Sequence, residues 1–570
     1  MTMLERTAPC PLPQPQAQPP SVAVLGWSHV ALAMVLGCIF LYLDHRPLWH
    51  TDIWGHLKFG QWISTQHALP GSSPFLPEAT KTSPLVHFSW LAQVAFYQVF
   101  HFGEWLAGPS AAEAGGIEAL RTLHALLVTL CMLFLYRAFV LIGRSPGAAI
   151  LGVVLVFLLA LPSIDVLRPQ VGAEVCFALL VMALSRPCLS NSAFLGLVGL
   201  IVFWANLHGS FLLGLLVMGG ANGGQFLQAC REAGGVKLLA VWRYEPFRRL
   251  FLCIMFSLLA VGLLNPTGFG IFPAALAFQH HPAVAMMDEW HPVAWDTPWG
   301  MVFLLSLVWV AVTFLVGMLW LPRQATTRML LGGIPLGQML LLLFFGLRTL
   351  SCQRYMLWWI FLAVWISMNV WGPLWQHGLT TLRWRLPSRW ALPLLTGIVV
   401  TVVLFSGVGL WLTQGQPRPV ERAVHAATPW GVARQLLHPE SSTFPPLANW
   451  LQHQGPGRLH GRIFTTETLG EYLLWSLPPE QAPLLFSHVH LFPADYWYAC
   501  LQVRAAKGEW EAVLDRMDAV LLLVEAEHHP ELRRQLLAPE QRRWQVVLDE
   551  TGDARKSDPR SRWLVAVRKK

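Results

Sequence analysis

The chain has 570 residues, of which 54% are hydrophobic and only 13% charged, with 28 Trp and 31 Phe. Soluble domains carry about 25% charged residues, so a string of soluble domains is excluded and the bilayer is the expected solvent for most of the chain. The net charge of +8 comes from Lys and Arg gathered in short connections between apolar runs, a pattern of cytoplasmic loops and not of a nucleic-acid-binding surface.

The first stretch, through Pro20, is rich in Pro and Gln and is expected to be disordered, so residues 1–21 form a cytoplasmic tail. Val22–Leu43 follows without a small-residue cleavage signature and reads as a retained first span. Further apolar runs occupy 117–139, 147–162, 169–186, 192–206, 208–229, 250–265, 299–321, 329–346, 354–373 and 391–413. A span needs roughly 20 apolar residues, so the chain is expected to be an α-helical polytopic membrane protein of about eleven spans.

Charge bias orients it. Arg231, Lys237, Arg243, Arg248 and Arg249 fill one connection, Arg383, Arg385 and Arg389 another, and Pro322–Arg328 adds two more. These should face the cytoplasm, as should Arg137 and Arg144. The loop 44–116 is then outside, provided that 87–106 does not cross. That stretch is interrupted by His87, Gln93, Gln98, His101 and Glu104, and reads as a helix lying in the interface. The N-terminus is therefore expected inside, and the tail from residue 414 outside.

Residues 22–413 thus form a transmembrane domain and 414–570 an extracytoplasmic α/β domain. In the latter, Arg462–Phe464, Leu484–Phe486, Ala519–Val524, Trp544–Leu548 and Trp563–Val567 read as strands. Glu509–Arg516 and Glu531–Leu537 read as helices between them. The tail holds no nucleotide loop, nucleophile elbow or zinc spacing. The nine cysteines are scattered, mostly within apolar runs, and read as small buried hydrophobes.

The first loop carries the most pointed chemistry, in His50-Thr51-Asp52-Ile53-Trp54-Gly55-His56. Asp52 and His56 share a face if Thr51–Gln66 is helical. Two readings stay open here: a functional acid beside a histidine, or a helix start in which Thr51 caps and Asp52 complements the dipole. Asp165 and Arg168 stand together at the outer end of the third span, as functional groups or as a boundary ion pair. The outer turn Trp204-Ala205-Asn206-Leu207-His208-Gly209-Ser210 offers Asn206 and His208, which a tight hairpin could also use to satisfy freed backbone groups. The loop after Asn265 gathers His280, His281, Asp288, Glu289, His291 and Asp296. Their spacing matches no metal site, so a substrate-facing or solvated loop is the expectation.

Arg46, Arg121, Arg168, Arg348 and Arg354 all map to the outer boundary, against the inside bias of cations. Each alone is a snorkelling side chain; together they form a collar suited to an anionic headgroup, which guanidinium pairs bidentately. No charged residue is expected clearly mid-span, which argues against an ion path.

With these residues in view, the layout resembles the polytopic GT-C glycosyltransferases that use polyprenyl-phosphate-linked sugars. The likeness rests on Asp52-Ile53-Trp54-Gly55-His56 through Gly60-Gln61-Trp62-Ile63, then Leu69-Pro70, Ser73-Pro74-Phe75, and the stretch Phe88–Tyr97, where that class has interfacial helices. It extends loosely through Leu167-Arg168-Pro169-Gln170, Trp204–Gly209, Asn265-Pro266 and Glu289-Trp290. The pattern is closest to bacterial members grouped with protein mannosyltransferases and lipid A aminoarabinose or core-sugar transferases.

The resemblance implies Asp52 as the catalytic acid and Asp165 as a second carboxylate near the donor phosphate. His56, Arg168, Asn206, His208, Glu289, Arg348 and Arg354 would be its donor-phosphate or substrate-binding neighbours. It implies inverting sugar transfer to a lipid, glycan or protein acceptor at the outer face of a bacterial inner membrane. Many relatives carry a second acid directly after the first, where this chain has Ile53, so a divalent cation is left open. Two rivals are a transporter or flippase of lipid-linked intermediates, for which no internal repeat is found, and a non-catalytic membrane scaffold.

Overall fold

The computed structural model describes residues 25–49, 52–76, 85–186, 188–320, 330–331, 334–378, 388–440, 443–453, 461–551 and 562–569. The N-terminal tail, His50, the Thr51 cap, the Pro322–Arg328 connection, and Arg383 with Arg385 lie outside the described residues.

Each expected apolar run overlaps a helix, although 329–346 is helical only from Leu336 and 391–413 is divided between two helices. The chain enters through α1 (Trp27–His45), then α2 (Ile53–Gln66) and α3 (Trp90–Ala107) in the first loop. There follow α4 (Ala112–Gly143), α5 (Pro146–Ile164), α6 (Pro169–Leu184), α7 (Asn191–Leu207) and α8 (Phe211–Glu232). After a short α9 (Leu238–Arg243) and the long α10 (Glu245–Leu264), α11 (Ile271–Ala277) and α12 (Pro282–Ala285) build the loop that precedes α13 (Pro298–Trp320). A minimal antiparallel pair, β1 (Leu330–Leu331) and β2 (Ile334–Pro335), leads into α14 (Leu336–Ser351) and α15 (Met356–Gly378). Finally α16 (Ser388–Phe405) and α17 (Gly407–Gln414) meet at a 67° bend.

Among the described residues, six helices are long and apolar enough to cross a membrane, and the bent α16–α17 pair makes a seventh. Three expected spans, now α6, α7 and α14, are apolar but shorter. The helix α8 falls outside that set because Gly219, Gly220, Asn222, Gly223, Gly224 and Gln225 dilute its apolar face. The interfacial expectation for 87–106 matches α3, an 18-residue helix packed on α2 and α4 that is not among the candidate spans.

The apolar stretch Met356–Met368 of α15 is buried almost throughout, which makes it the axis of the bundle, as expected for a helix that is hydrophobic all round. Gly143 of α4 meets Gly372 of α15 so closely that a Cβ at Gly372 would lie 2.1 Å from the Gly143 carbonyl oxygen. Helix pairs in lipid gain from such close approach because apolar contact alone does not favour protein over lipid. By contrast α13 is buried over only 22% of its apolar window and lines the periphery. Among the described residues one ionisable side chain runs against the expectation of uncharged spans: Glu174 is buried inside α6 with its Oε2 unpartnered.

The tail adds α18 (Val420–Ala423), α19 (Trp430–Leu437), α20 (Pro445–His453), β3 (Arg462–Thr465), α21 (Glu467–Ser476), α22 (Ala494–Arg504), α23 (Trp510–Arg516), β4 (Ala519–Glu525), α24 (Pro530–Leu536), β5 (Trp544–Asp549) and β6 (Trp563–Arg568). Its sheet has the order β3-β4-β6-β5, with β3 parallel to β4 and the other pairings antiparallel. Four of the five expected strands form. Leu484–Phe486 does not: Pro483 makes an isolated bridge to Ile463, Leu484 donates its N–H to the Ile463 carbonyl at 2.8 Å, and the chain then leaves the edge. The run is apolar because it is buried between the sheet and α2, not because it pairs along its length.

The tail grips the membrane body through charge. Arg418 reaches Glu118 of α4, which also holds Arg121, and Arg121 and Arg418 both donate to the Asp44 carbonyl. Tyr472 of α21 donates to Glu113 at 2.6 Å.

Candidate functional site

A helix N-terminus leaves its first N–H groups without partners, and these attract an acceptor. Asp52 occupies the N-cap of α2 but makes no capping hydrogen bond with its side chain. The acceptor comes from 416 residues away: Glu471 of α21 takes the Gly55 N–H. A Cβ on Gly55 would lie 2.1 Å from Glu471 Oε2 and 2.8 Å from His488 Cε1, so only glycine admits this approach. The Asp52 carboxylate is thereby released from capping and turns into a cavity.

That cavity has a volume of about 480 Å³, within the range of small-molecule sites. One side is apolar, with Leu212, Leu213, Leu216, Leu276, Phe344 and Trp358. The other is polar and charged. Asp52 Oδ1 lies 3.4 Å from Arg168 Nε, and Asp52 Oδ2 lies 3.8 Å from His56 Nε2. Glu289 spans two guanidiniums: its Oε2 is 3.1 Å from Arg168 Nη1, and its Oε1 meets Arg354 Nη1. Arg354 also stacks over Trp290 at 5.1 Å, and Arg348 over Tyr355 at 4.9 Å.

Burial alone would raise the Asp52 carboxyl, but Arg168 and the neighbouring His56 outweigh it and hold it well below the usual carboxylate range. His56 is pushed down by burial and by the charge of His488, so it is neutral at pH 7. His208 is lowered to about 3 by burial and by Arg354. The site therefore presents an ionised base beside the neutral His56 and His208 imidazoles and the guanidiniums.

The structure brings together most of the expected residues. Asp52, His56, Arg168, His208, Glu289, Arg348 and Arg354 all line the cavity. Asp165 does not: it pairs with Arg46, Nη2 to Oδ2 at 2.7 Å, because it is the C-cap of α5 and faces the end of α1. The expected Asp165–Arg168 pairing is likewise replaced, by Arg168 on Asp52 and Glu289. Asn206 lies behind the wall, accepting from Trp90 Nε1 at 2.9 Å and donating to the Val202 carbonyl. His208 accepts the Ser210 N–H, closing the turn between α7 and α8 while also lining the cavity. The arginine collar divides in the same way, since Arg46 and Arg121 are consumed by Asp165 and by Glu118 with backbone carbonyls.

Sequence reasoning named no site residue in the tail. Ser487, His488 and His490 line the cavity, and Gln93 of α3 donates to His56 Nδ1 at 3.3 Å. A signal was present in Ser487-His488-Val489-His490, two histidines one residue apart in an otherwise apolar stretch. Among the described residues no group of three or more His, Cys, Asp or Glu side chains is arranged to hold a metal ion. The acidic groups of the cavity are engaged by guanidiniums, His281 Nε2 contacts the Phe492 carbonyl and His291 Nε2 the Ala285 carbonyl, so this donor set does not fit a divalent cation.

No protein-family model matches this chain, and no curated protein matches it. Among solved structures, the crystal structure of ArnT from Cupriavidus metallidurans bound to undecaprenyl phosphate is similar at 14% sequence identity, over 95% of this chain and 97% of that chain, with a TM-score of 0.48. No residue role passes from it to this chain.

Proposed function

We propose that the protein is a GT-C-type membrane glycosyltransferase that moves a sugar from a polyprenyl-phosphate donor to an acceptor hydroxyl, with inversion. One observation carries the reading: an ionised carboxylate and the three guanidiniums of Arg168, Arg348 and Arg354 share a single cavity with an apolar wall. That combination suits an amphipathic anion whose sugar carbon must be approached by a deprotonating oxygen.

In this mechanism Asp52 accepts the proton of the acceptor hydroxyl as its oxygen bonds to the anomeric carbon. The bond from that carbon to the phosphate oxygen breaks, and its electron pair leaves with the polyprenyl phosphate. Arg168 and Arg354, with Arg348 at the rim, stabilise the charge on the departing phosphate. Leu212, Leu213, Leu216 and Phe344 guide the first part of the prenyl chain, the remainder lying in lipid. A donor loaded beforehand needs no nucleotide loop. The bias of Lys and Arg among the connections supports a site on the extracytoplasmic face of a bacterial inner membrane, with the N-terminus inside and residues 414–570 above the site. Asp165 keeps a supporting role in this reading, anchoring Arg46 at the end of α1.

The test is transfer from a labelled polyprenyl-phosphate sugar by wild type and Asp52→Asn, alongside mass analysis of surface glycans in cells that lack the protein. A loss of about 10²–10⁴-fold is expected for removal of a general base. Undiminished turnover removes Asp52 from the role, and an unchanged glycan profile removes the activity.

A further inference from the structure

The tail does more than roof the cavity. Glu471 is fully buried, and its Oε1 accepts from the Ser487 N–H at 2.8 Å, the Ser487 hydroxyl at 2.7 Å and His488 Nδ1 at 3.1 Å. Its Oε2 accepts from the Gly55 N–H at the start of α2. The opposite edge of the His488 ring, Nε2, lies 3.3 Å from His56 Nδ1. His56 is thus contacted at Nδ1 by His488 and by the Gln93 amide, and at Nε2 by Asp52.

One arrangement serves every one of these contacts, with Gln93 and His488 sharing the single lone pair of His56 Nδ1. Gln93 can only donate from Nε2, so His56 Nδ1 accepts and its proton sits on Nε2, facing Asp52. Glu471 can only accept through Oε1, so His488 carries a proton on Nδ1. Its Nε2 then faces an acceptor, and in this arrangement a second proton there makes the contact favourable. His488 therefore donates from both edges.

We propose, building on the transferase reading, that Glu471 and His488 are positioning residues for Asp52: Glu471 caps α2 in its place and orients His488, and His488 fixes His56 so that its Nε2–H faces the Asp52 carboxylate. The site is incomplete without the segment that follows the last membrane helix. Burial alone would lower His488, but the Glu471 carboxylate outweighs it and raises the imidazole above its usual range. The titratable groups around the pair are Asp52 on α2, Glu471 on α21, and His490, which burial and the charge of His488 press down to about 3. His208 and Arg168 face the same space from the α7–α8 turn and the start of α6.

Full-length protein in lipid nanodiscs, labelled with ¹⁵N-histidine, reports the protonation of each imidazole nitrogen. Among the 21 histidines, the two signals are assigned by their loss in His56→Asn and His488→Asn. At pH 7 we expect His488 doubly protonated and His56 protonated on Nε2 alone, with His488 neutral in Glu471→Gln. If Glu471→Gln does not fold, a pH titration of wild-type His488 decides the point: a midpoint above that of an ordinary histidine is expected. A neutral His488 at pH 7, or His56 protonated on Nδ1, overturns the proposal. Binding of undecaprenyl phosphate to the same nanodiscs is measured separately. Its absence overturns the transferase reading, whereas the imidazole signals judge the positioning roles whatever that result.

Discussion

Asp52 Oδ1 and Arg168 Nε lie 3.4 Å apart, yet among the described residues neither atom has a hydrogen-bond partner. The two are held as opposite charges across a gap, not locked as a bonded pair. A base must keep a lone pair free for the proton it takes, and a guanidinium awaiting an anion must keep an N–H free, so an unbonded contact suits both duties.

Arg168→Gln is expected to raise the Asp52 carboxyl from its depressed position. In the wild type the carboxyl lies below its ordinary value of 3.8, so it stays charged through mild acid. The stability it contributes is present above that value and lost only as pH falls through the lower folded one. Without Arg168 the burial contribution, which raises the carboxyl, is opposed only by His56 and His488, so the carboxyl moves up. The acid limb of a pH–rate profile should move to higher pH, and thermal stability should begin to fall at a higher pH than in wild type. An acid limb that stays in place contradicts the assigned pairing.

Glu289 occupies the space an incoming phosphate would take, with one oxygen on each of Arg168 and Arg354. An anionic headgroup must displace it to reach both guanidiniums. Glu289→Gln keeps the shape and removes the competing charge. Undecaprenyl phosphate should bind the variant more tightly, on the order of tenfold or about 1.4 kcal/mol. Weaker binding in the variant would show instead that Glu289 organises the two arginines and is not a rival for them.

Gly55→Ala reads as a stabilising change from helix propensity alone, worth up to about 1 kcal/mol. The site predicts the opposite. The added Cβ would fall 2.1 Å from Glu471 Oε2, and the buried carboxylate has no room to retreat because Ser487 and His488 hold its other oxygen. Overpacking of this kind costs about 1–3 kcal/mol. A lower unfolding temperature in detergent is expected, together with loss of the Glu471 cap.

What could be read from the sequence follows the range of the forces involved. Apolar runs of span length reported the helices, because burial in lipid depends on local composition. Asp52 with His56 was legible because a helical spacing of four is local, and the arginines were legible because their boundary positions defy the inside bias. Glu471 and Gly55 were not, since nothing in either stretch announces a hydrogen bond across 416 residues. Asp165 looked like a partner for Arg168 by proximity in sequence, but the end of α5 turns it toward Arg46, whose guanidinium it meets at 2.7 Å. Leu484–Phe486 showed strand composition without strand geometry because Pro483 spends its only bridge at the start of the run. The tail looked self-contained because its sheet has its own apolar pattern. Its polar residues at the membrane face told otherwise only once their partners on α2 and α4 were in view.

Those partners make the seam between body and tail testable. Glu118 is fully buried on α4 and is satisfied from two sides, by Arg121 on its own helix at 3.1 Å and by Arg418 from the tail at 2.6 Å. Removing one member of a buried ion pair leaves the other charge uncompensated and costs about 3–5 kcal/mol. Arg418→Ala should fall at or below the lower end of that range, because Arg121 remains. The second change, Glu118→Gln on the Arg418→Ala background, leaves the buried Arg121 guanidinium without its carboxylate partner. The double variant should therefore be less stable than Arg418→Ala. A double variant as stable as Arg418→Ala, or more so, would show that Arg121 does not compensate the Glu118 charge, and that the contact of Arg418 with Glu118 is what makes that charge tolerable.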